Sequence, residues 1–271
     1  MKNKFENKVV VITGASSGIG YSIAKLLFSK GCKVYDISKT LVKHNEIVEG
    51  FECDVNNISQ VDEILQKIFE KEGKINVFIN NAGFGIAGAI EDTKYENIYN
   101  LVNTNLSAVI SLSGRAIKYL KKSGGGNIIN ISSVGGVIPL PYQATYSATK
   151  AGVEIFSRAL ANEVRNFGIK VTAILPGDTK TNFTSARIID TDADDVKYSE
   201  SVVKSIKKVE KDEQTGKSPD SVAMAVLKVL KKKYPPLRKT VGFEYKLVVF
   251  LPRILSTKFM NKILHKLYVK K

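Results

Sequence analysis

Residues 9–20 read VVVITGASSGIG, and this stretch decides the fold. Val9–Ile12 is an unbroken run of β-branched residues, which is typical of a parallel strand buried on both faces. Three glycines follow within seven residues, and a helical pattern begins at Ile19. Glycines let the backbone turn tightly and approach a phosphate closely, and the amides at the helix start favour its negative charge. The stretch therefore predicts a strand, a phosphate-binding loop and a helix.

Strand-like and helical segments alternate from this loop to residue 242. The strand-like segments are Val9–Ile12, Val34–Ile37, Ile47–Cys53, Ile75–Ile79, Asn127–Ile131, Ile169–Leu175 and Lys239–Gly242. The helical segments are Ile19–Ser29, Ile58–Glu72, Tyr95–Lys121, Tyr146–Phe167 and Val222–Lys232. Such alternation predicts an α/β fold: a doubly wound Rossmann fold with a mostly parallel seven-stranded sheet and helices on both faces.

Residues 1–244 are expected to form one catalytic domain, since no linker or repeat interrupts them. Within it, residues 178–218 are polar, have poor strand character and hold an acidic cluster at Asp190, Asp192, Asp194 and Asp195. A long irregular stretch after a strand is typical of a substrate lid or a surface insertion. Residues 245–271 are expected to be a tail and not an independent domain.

The composition excludes several classes of protein. With 44% hydrophobic and 25% charged residues, the chain is neither disordered nor membrane-spanning. Two cysteines and two histidines without ligand spacing predict no disulfide scaffold and no metal site. Only eight residues precede the first strand, which leaves no room for a secretory signal, so we expect a cytoplasmic protein.

Nearly half of the net charge of +15 lies in the tail. The tail holds seven basic residues and no acid, at Lys246, Arg253, Lys258, Lys262, Lys266, Lys270 and Lys271. Apolar residues recur every four positions, at Leu255, Phe259, Ile263 and Leu267, with Met260, Leu264 and Tyr268 beside them, which predicts a basic amphipathic helix. We expect this helix to dock on the body; the alternative is peripheral association with an anionic membrane. Nucleic acid is not an expected partner, because no binding motif accompanies the charge.

Candidate catalytic groups lie where strands end. Tyr146 and Lys150 are four residues apart and share one helix face, where an ammonium favours the phenolate and lowers the phenol pKa. Ser133 follows the strand Asn127–Ile131, and Asn80–Gly83 follows another strand. Because ligands bind beyond the carboxyl ends of strands in open α/β sheets, these groups are expected to meet in one crevice.

Together these motifs resemble the short-chain dehydrogenase/reductase family, over roughly residues 8–180. The family pattern Thr-Gly-x3-Gly-x-Gly is Thr13–Gly20, its Asn-Asn-Ala-Gly motif is Asn80–Gly83, and its Pro-Gly is residues 176–177. The resemblance implies a catalytic set of Asn105, Ser133, Tyr146 and Lys150. In it Tyr146 gives a proton to a carbonyl oxygen and Ser133 positions that oxygen. Lys150 binds the nicotinamide ribose and lowers the Tyr146 pKa, and Asn105 holds a water that supplies protons.

The resemblance and the end of the second strand together indicate which nicotinamide cofactor is bound. Counting about 20 residues from Gly20 reaches Ser38 and Lys39, and a small residue followed by lysine favours NADP(H). Asp36 keeps NAD(H) open, and Ser17 stands where many NADP-preferring members carry a basic residue. The cofactor-binding residues are expected to be Gly14, Ser16, Ser17, Gly18, Ile19, Gly20, Ser38, Lys39, Asp54, Val55, Asn81, Ala82, Gly83, Tyr146, Lys150, Pro176, Gly177, Thr179 and Thr181.

The expected substrate is a lipophilic alcohol or ketone, because apolar residues surround the catalytic ones. Its contacts are expected to be Ser133, Val134, Tyr142, Tyr146 and Phe183. The resemblance is closest to hydroxysteroid and retinol dehydrogenases, which implies a hydroxysteroid or bile acid. The alternatives are a 3-ketoacyl-thioester reductase and, in a different class, a non-catalytic nucleotide-binding protein. The family usually forms homodimers or homotetramers through the helices Tyr95–Lys121 and Tyr146–Phe167.

Overall fold

The computed structural model describes residues 4–41, 46–190 and 196–269, with the backbone alone for residues 196–199. Asp192, Asp194 and Asp195 of the expected acidic cluster, and Lys270 and Lys271 of the tail, lie outside the described residues.

The central sheet has seven parallel strands, which confirms the predicted fold class. They are β1 (Val9–Thr13), β2 (Lys33–Ser38), β3 (Glu49–Glu52), β4 (Val77–Asn80), β6 (Gly126–Ile131), β7 (Ile169–Leu175) and β9 (Arg238–Thr240). Their order across the sheet is β3-β2-β1-β4-β6-β7-β9. The order reverses between β1 and β4, so the carboxyl ends of these two strands open the crevice in which such sheets bind ligands.

Helices cover both faces of the sheet. They are α1 (Gly18–Phe28), α2 (Ile58–Glu72), α3 (Tyr95–Val102), α4 (Ala108–Lys122), α5 (Ala144–Glu163), α6 (Val196–Gln214), α7 (Pro219–Lys231), α8 (Phe243–Phe250) and α9 (Thr257–Tyr268). Alternate β1 side chains point to opposite faces. Val10 and Ile12 pack with α1 and α7, whereas Val9 and Val11 pack with α2, α4 and α5.

The predicted helix Tyr95–Lys121 is continuous but changes from α-helical to π-helical geometry in the middle. Residues Asn103–Ser107 form a π-helical turn between α3 and α4. A π-turn inserts an extra residue per turn and often occurs at functional sites. The mid-helix Asn105 lies in this turn and is fully buried.

The segment 178–218 is more regular than the sequence indicated. It contains β8 (Ile188–Asp190) and the helix α6, so the expectation of an irregular stretch with poor strand character was wrong. Strand β8 pairs in parallel with β5 (Ile86–Gly88) in a second, two-stranded sheet. This pairing holds the segment against the loop that follows β4. A strand of only three residues forms here because β5 supplies its hydrogen-bonded partner.

The tail packs on the body through one face and exposes another. In α9 the buried residues are Met260 and Leu264, which join Val134 and Ile138 in one apolar cluster. Of the predicted apolar residues, Met260 and Leu264 are covered by the body, whereas Phe259 and Leu267 are half exposed. Within the described residues, no helix is both long and apolar enough to span a bilayer.

Candidate active site

The phosphate loop is locked to the end of β4. The Asn81 side chain donates to the carbonyl oxygens of Thr13 and Gly14 at 3.0 and 2.8 Å. Gly14 has φ +73°, and a Cβ there would lie 2.9 Å from Ala82 Cα, so no larger residue fits. A Cβ at Gly20 would likewise collide with the Gly14 carbonyl. The loop therefore holds one shape before any ligand arrives.

The start of α1 suits a pyrophosphate group. Its N-cap residue, Ser17, makes no side-chain capping bond, and the first turn holds no acidic residue. The first four amides of a helix have no partner within the helix, and they carry the positive end of its dipole. The residues present therefore fit a dinucleotide, with Gly18 and Ile19 supplying backbone amides at the start of α1.

The end of β2 separates a buried acid from an exposed lysine. Asp36 is fully buried and accepts hydrogen bonds from the Ala15 amide and the Ser38 hydroxyl, each at 2.8 Å. Burial raises the Asp36 pKa, an effect that these hydrogen bonds oppose. Lys39, by contrast, has a 66% exposed side chain and pairs with Asp54 at 2.9 Å. Asp36 thus serves the loop, while Lys39 and Asp54 form an exposed ion pair at the end of the strand.

Tyr146 and Lys150 lie on α5 and are both buried. The Lys150 ammonium is 5.8 Å from the centre of the Tyr146 ring and donates to the Ile131 carbonyl at 3.1 Å. The Ser133 hydroxyl accepts from the Gly135 amide at 3.0 Å and is hydrogen-bonded to Tyr146. The structure therefore brings three of the four predicted catalytic residues together.

Burial dominates the titration of this pair. It raises the pKa of Tyr146 to about 12, which the hydrogen bond to Ser133 opposes, and it lowers the pKa of Lys150 to about 8. Tyr146 is therefore protonated at neutral pH and able to act as an acid. The expected lowering of the Tyr146 pKa by Lys150 is not met in this structure, because burial raises that pKa instead.

Asn105 reaches the same site from the π-turn. Its amide accepts from the Phe84 amide at 3.1 Å and donates to the Phe84 carbonyl at 2.8 Å. A Cβ on Gly83 would lie 2.8 Å from the Asn105 Oδ1 and 3.6 Å from the Lys150 Nζ. Asn105 thus fixes the backbone beside Lys150, and its proposed water stays a prediction.

The Pro-Gly motif lies between the catalytic segment and the tail. The Pro176 carbonyl accepts from the Val134 amide at 2.9 Å, while the Tyr245 ring of the tail covers Gly177 so closely that a Cβ there would collide with it. Of the two candidate threonines, Thr181 lies next to Gly18, whereas the Thr179 hydroxyl donates to the Gly177 carbonyl at 2.8 Å. The geometry favours Thr181 as the residue beside the cofactor.

The predicted substrate residues occupy three different surroundings. The Phe183 ring packs on the Tyr146 ring with centres 5.8 Å apart, so it covers the catalytic group. Tyr142 has φ +60° and lines an open cavity of about 160 Å³ beside Ile86 and Ala144. Val134 instead lies in the apolar cluster that anchors the tail. The remaining cofactor candidate, Val55, is buried in the core between the sheet and α2.

Sequence reasoning missed a buried ion pair near Tyr146. Arg187 Nη2 donates to Glu213 Oε1, and the Thr184 hydroxyl donates to Glu213 Oε2 at 2.6 Å. The pair is connected to Tyr146 through the Phe183 ring, whose centre lies 5.8 Å from that of Tyr146 and 5.9 Å from Arg187 Cζ. A signal was present in α6, because Val202, Ile206 and Val209 form a stripe that Glu213 continues at helical spacing.

Comparison with known proteins agrees with this geometry. The family described as short chain dehydrogenase matches residues 8–192. The chain is 39% identical over 236 residues to the 3-ketodihydrosphingosine reductase of Bacteroides thetaiotaomicron, covering 87% of this chain and 88% of the relative. It is 35% identical over 191 residues to the 3-oxoacyl-(acyl-carrier-protein) reductase of Thermotoga maritima, covering 67% and 78%. A solved short-chain dehydrogenase from Streptomyces avermitilis matches with a TM-score of 0.82 and 27% identity over 98% of both chains.

Proposed function

The chain belongs to the short-chain dehydrogenase family, and we propose that it reduces the ketone of a long-chain 3-keto lipid with NADP(H) as cofactor. The observation that carries this proposal is the buried set of Tyr146, Lys150 and Ser133 in a chain that resembles a 3-ketodihydrosphingosine reductase over 87% of its length. A non-catalytic nucleotide-binding role is disfavoured because Tyr146 and Lys150 are both present and adjacent.

The chemistry follows from the positions of these side chains. A bound nicotinamide supplies the hydride that goes to the carbonyl carbon. Tyr146, protonated at neutral pH, gives its proton to the carbonyl oxygen, and Ser133 donates a hydrogen bond that holds this oxygen in place. The buried Lys150 stabilises the phenolate that remains on Tyr146 and so favours the transfer. The product is a secondary alcohol.

The lipid chain of the substrate accords with the apolar surroundings of the site. Phe183 covers Tyr146, and Ile86, Ile90 and Tyr142 line the nearby cavity. The hydroxysteroid substrate implied by the resemblance receives no support from the relatives described above, so we replace it with a linear 3-keto lipid. A 3-ketoacyl thioester is the second candidate, because the chain is also similar to a 3-oxoacyl-(acyl-carrier-protein) reductase.

A cofactor and substrate panel tests this proposal. The purified protein is assayed with NADPH and with NADH against 3-ketodihydrosphingosine, a 3-ketoacyl thioester and a 3-ketosteroid. We expect the highest kcat/KM for 3-ketodihydrosphingosine with NADPH. Reduction of the thioester alone would favour the second candidate, and activity on the steroid alone would contradict the linear-lipid substrate.

We propose NADP(H) because the end of β2 offers a cation and no free acid. Lys39 is exposed and held by Asp54, whereas Asp36 is buried and hydrogen-bonded to the phosphate loop. A 2′-phosphate would pair with Lys39, while the 2′-hydroxyl of NAD would find no free carboxylate among the described residues at this strand end. Exposed ion pairs are weak, so Asp54 is not a strong competitor for Lys39.

We propose a homodimer or homotetramer formed through α3, α4 and α5. Large apolar side chains are exposed on these helices, at Tyr95, Tyr99, Ile110 and Ile155. Neighbouring apolar side chains exposed on adjacent helices are typical of an interface between subunits. Light scattering should give a mass of at least two chains, and Ile155→Lys should lower it, whereas a monomeric wild type would contradict this interface.

We also propose that the tail attaches reversibly to an anionic membrane. Exposed apolar side chains alternate with basic ones along it and at the start of α8 just before it, with Leu247 61% and Phe243 81% exposed. The apolar group comprises Phe243, Leu247, Phe250, Ile254, Phe259 and Leu267, and the basic group comprises Lys246, Arg253, Lys258, Lys262 and Lys266. Apolar side chains among lysines are typical of interfacial helices, and a membrane would bring the enzyme to a lipid substrate.

Flotation with vesicles tests the tail. Vesicles containing phosphatidylglycerol should carry the protein at low salt, and pure phosphatidylcholine vesicles should carry much less. The variant Phe243→Ser with Leu247→Ser should lose most of this binding while it keeps its activity on a water-soluble ketone. Equal flotation of variant and wild type would exclude the tail as the attachment site.

A further inference from the structure

A buried arginine near Tyr146 has two donor atoms without hydrogen-bond partners among the described residues. The Arg187 side chain is 1% exposed, and its Nη2 donates to Glu213. Its Nε and Nη1 are buried and have no partner among the described residues. An unpaired buried donor on a charged group is costly, so such groups are normally satisfied by protein, water or a ligand. The guanidinium therefore has unused donors for a hydrogen-bond acceptor.

The unpaired donors of Arg187 lie close to the proposed catalytic tyrosine. Its Cζ lies 5.9 Å from the centre of the Phe183 ring, which in turn lies 5.8 Å from the centre of the Tyr146 ring. A Cβ on Gly85 would be 3.0 Å from the Phe183 ring and 3.6 Å from Arg187 Nε, so the guanidinium lies against the loop after β4. The Phe183 ring is therefore in contact with both Tyr146 and Arg187, which places the guanidinium close to the phenol that would face a substrate ketone.

The surroundings of Arg187 hold its charge in a fixed place. Glu213 neutralises it from the last turn of α6, and Thr184 fixes the second oxygen of Glu213. The pairing of β5 with β8 begins at the next residue, where the Ile188 amide donates to the Gly85 carbonyl at 3.0 Å. The guanidinium is thus held by groups on three separate segments, as a group that recognises a substrate must be.

We propose that Arg187 is a specificity-determining residue that donates a hydrogen bond to the C1 oxygen of a 3-keto lipid, two carbons from the reacting ketone. This inference rests on the proposed function and deepens it. The C1 oxygen is shared by the two candidate substrates, as the hydroxyl of 3-ketodihydrosphingosine and as the carbonyl of a 3-ketoacyl thioester. A ketone without this oxygen leaves the buried donors of Arg187 unpaired and is disfavoured. Glu213 is a positioning residue for Arg187.

The test pairs a variant with matched ketones. Arg187→Met keeps the length of the side chain and removes its donors, and Arg158→Met, at an exposed arginine on α5, is the control. Both are assayed on 3-ketodihydrosphingosine, a 3-ketoacyl thioester and 2-aminooctadecan-3-one, which differs from the first ketone only by lacking the C1 oxygen. A hydrogen bond to a charged donor corresponds to roughly 10- to 100-fold in kcat/KM. We expect Arg187→Met to lose this factor on the first two ketones and to keep the wild-type value on 2-aminooctadecan-3-one.

A binding measurement separates this inference from the proposed function. With NADP⁺ present, titration calorimetry compares sphinganine, which carries the C1 hydroxyl, with 2-aminooctadecan-3-ol, which lacks only that hydroxyl. Wild type should prefer sphinganine, and Arg187→Met should not. If the wild type does not reduce 3-ketodihydrosphingosine but the thioester arm shows the Arg187 dependence, the sphingoid substrate fails and the role of Arg187 stands.

Two results would overturn the inference. An equal loss on all three ketones, together with a lower melting temperature, would assign Arg187 to lid structure alone. Equal binding of sphinganine by the wild type and by Arg187→Met would remove the C1 contact, whichever ketone is reduced.

Discussion

Polar side chains at the carboxyl edge of the sheet are paired with one another, whereas the C-terminal segment, residues 178–269, leaves several groups without protein partners. At the edge, Asn81 bonds the phosphate loop, and Asn80 donates to Asn130, which donates to Ser157. In the C-terminal segment, Arg187 has unpaired buried donors and the tail exposes large apolar side chains. Among the described residues, the side chains named at the edge are therefore satisfied within the protein, whereas those named in the C-terminal segment are not.

The family match supports the same division. It ends at residue 192, so it covers the edge and stops early in the C-terminal segment. Changes at the edge should therefore abolish catalysis for every ketone, and changes in the C-terminal segment should alter stability, substrate choice or location. Four variants test this difference between the two regions, from the largest expected effect to the smallest.

Tyr146→Phe should abolish turnover on every ketone while leaving NADPH affinity nearly unchanged. The phenol supplies the proton, and loss of a positioned acid lowers the rate by roughly 10³-fold. The change in kcat is measured by NADPH oxidation, and cofactor binding by fluorescence. Tyr99→Phe, at an exposed tyrosine on α3, is the matched control. Turnover above a few per cent in folded Tyr146→Phe would break the assignment of the edge to catalysis.

Lys150→Met should inactivate the enzyme and yet stabilise it at neutral pH. Burial lowers the pKa of Lys150 from 10.5 to about 8, so below pH 8 the folded protein holds an ammonium at a cost. Between pH 8 and 10.5 the folded state loses this proton before the unfolded state does, so wild-type stability should rise with pH. Removing the charge should add roughly 1–3 kcal/mol to the free energy of unfolding at pH 7.

Urea unfolding at several pH values checks this prediction. The pH-dependent rise in stability between pH 8 and 10.5 should be weaker in Lys150→Met than in the wild type. Lys25→Met, at an exposed lysine on α1, should retain the rise. A Lys150→Met protein less stable than wild type at pH 7 would show that its hydrogen bond to the Ile131 carbonyl outweighs the cost of burial.

Lys39→Ser should weaken NADPH binding by roughly tenfold and leave NADH binding unchanged. The 2′-phosphate would lose one exposed cation, and a charge-assisted hydrogen bond of this kind corresponds to about 1.5 kcal/mol. KM values for both cofactors provide the measurement, with Lys67→Ser on α2 as the control. Equal effects on the two cofactors would show that Lys39 supports the fold of this edge and does not select the phosphate.

Tyr245→Phe should lower the free energy of unfolding by about 1 kcal/mol with little effect on kcat. It removes the hydrogen bond that the Tyr245 hydroxyl donates to Asp178 and keeps the ring against Gly177. Burial raises the Asp178 pKa, and the hydrogen bond from Tyr245 opposes this rise. Urea unfolding measures the change. A large loss of kcat would instead show that the tail contributes directly to catalysis and would contradict the functional separation of the two regions.

The residues that could be predicted are those whose chemistry is local. Sequence spacing alone fixes the geometry of a glycine loop between strand and helix, and of a tyrosine four residues before a lysine. The structure places Tyr146, Lys150 and Ser133 together, as the sequence indicated. Asp36 could not be assigned in the same way, because only the packed loop shows that its carboxylate is used by Ala15 and Ser38.

The residues that could not be predicted depend on distant partners. Strand β8 exists because β5 pairs with it, and paired residues of these two strands are 102 residues apart in the register Ile86↔Ile188 to Gly88↔Asp190. Arg187 is buried in part by its ion pair with Glu213, which is 26 residues away in the sequence. The exposure of Phe259 and Leu267 has the same origin, because Val134 and Ile138 decide which side of α9 is covered.

The contact between Gly177 and Tyr245 limits how this enzyme can be recombined with its relatives. Since the ring fills the space that any side chain at 177 would need, the glycine and the tyrosine must be exchanged together. A chimera that grafts residues 243–269 onto another member should therefore carry a glycine at 177 and an acid at 178 as a unit. Tails exchanged without this pair would assemble poorly, even where every catalytic residue is retained.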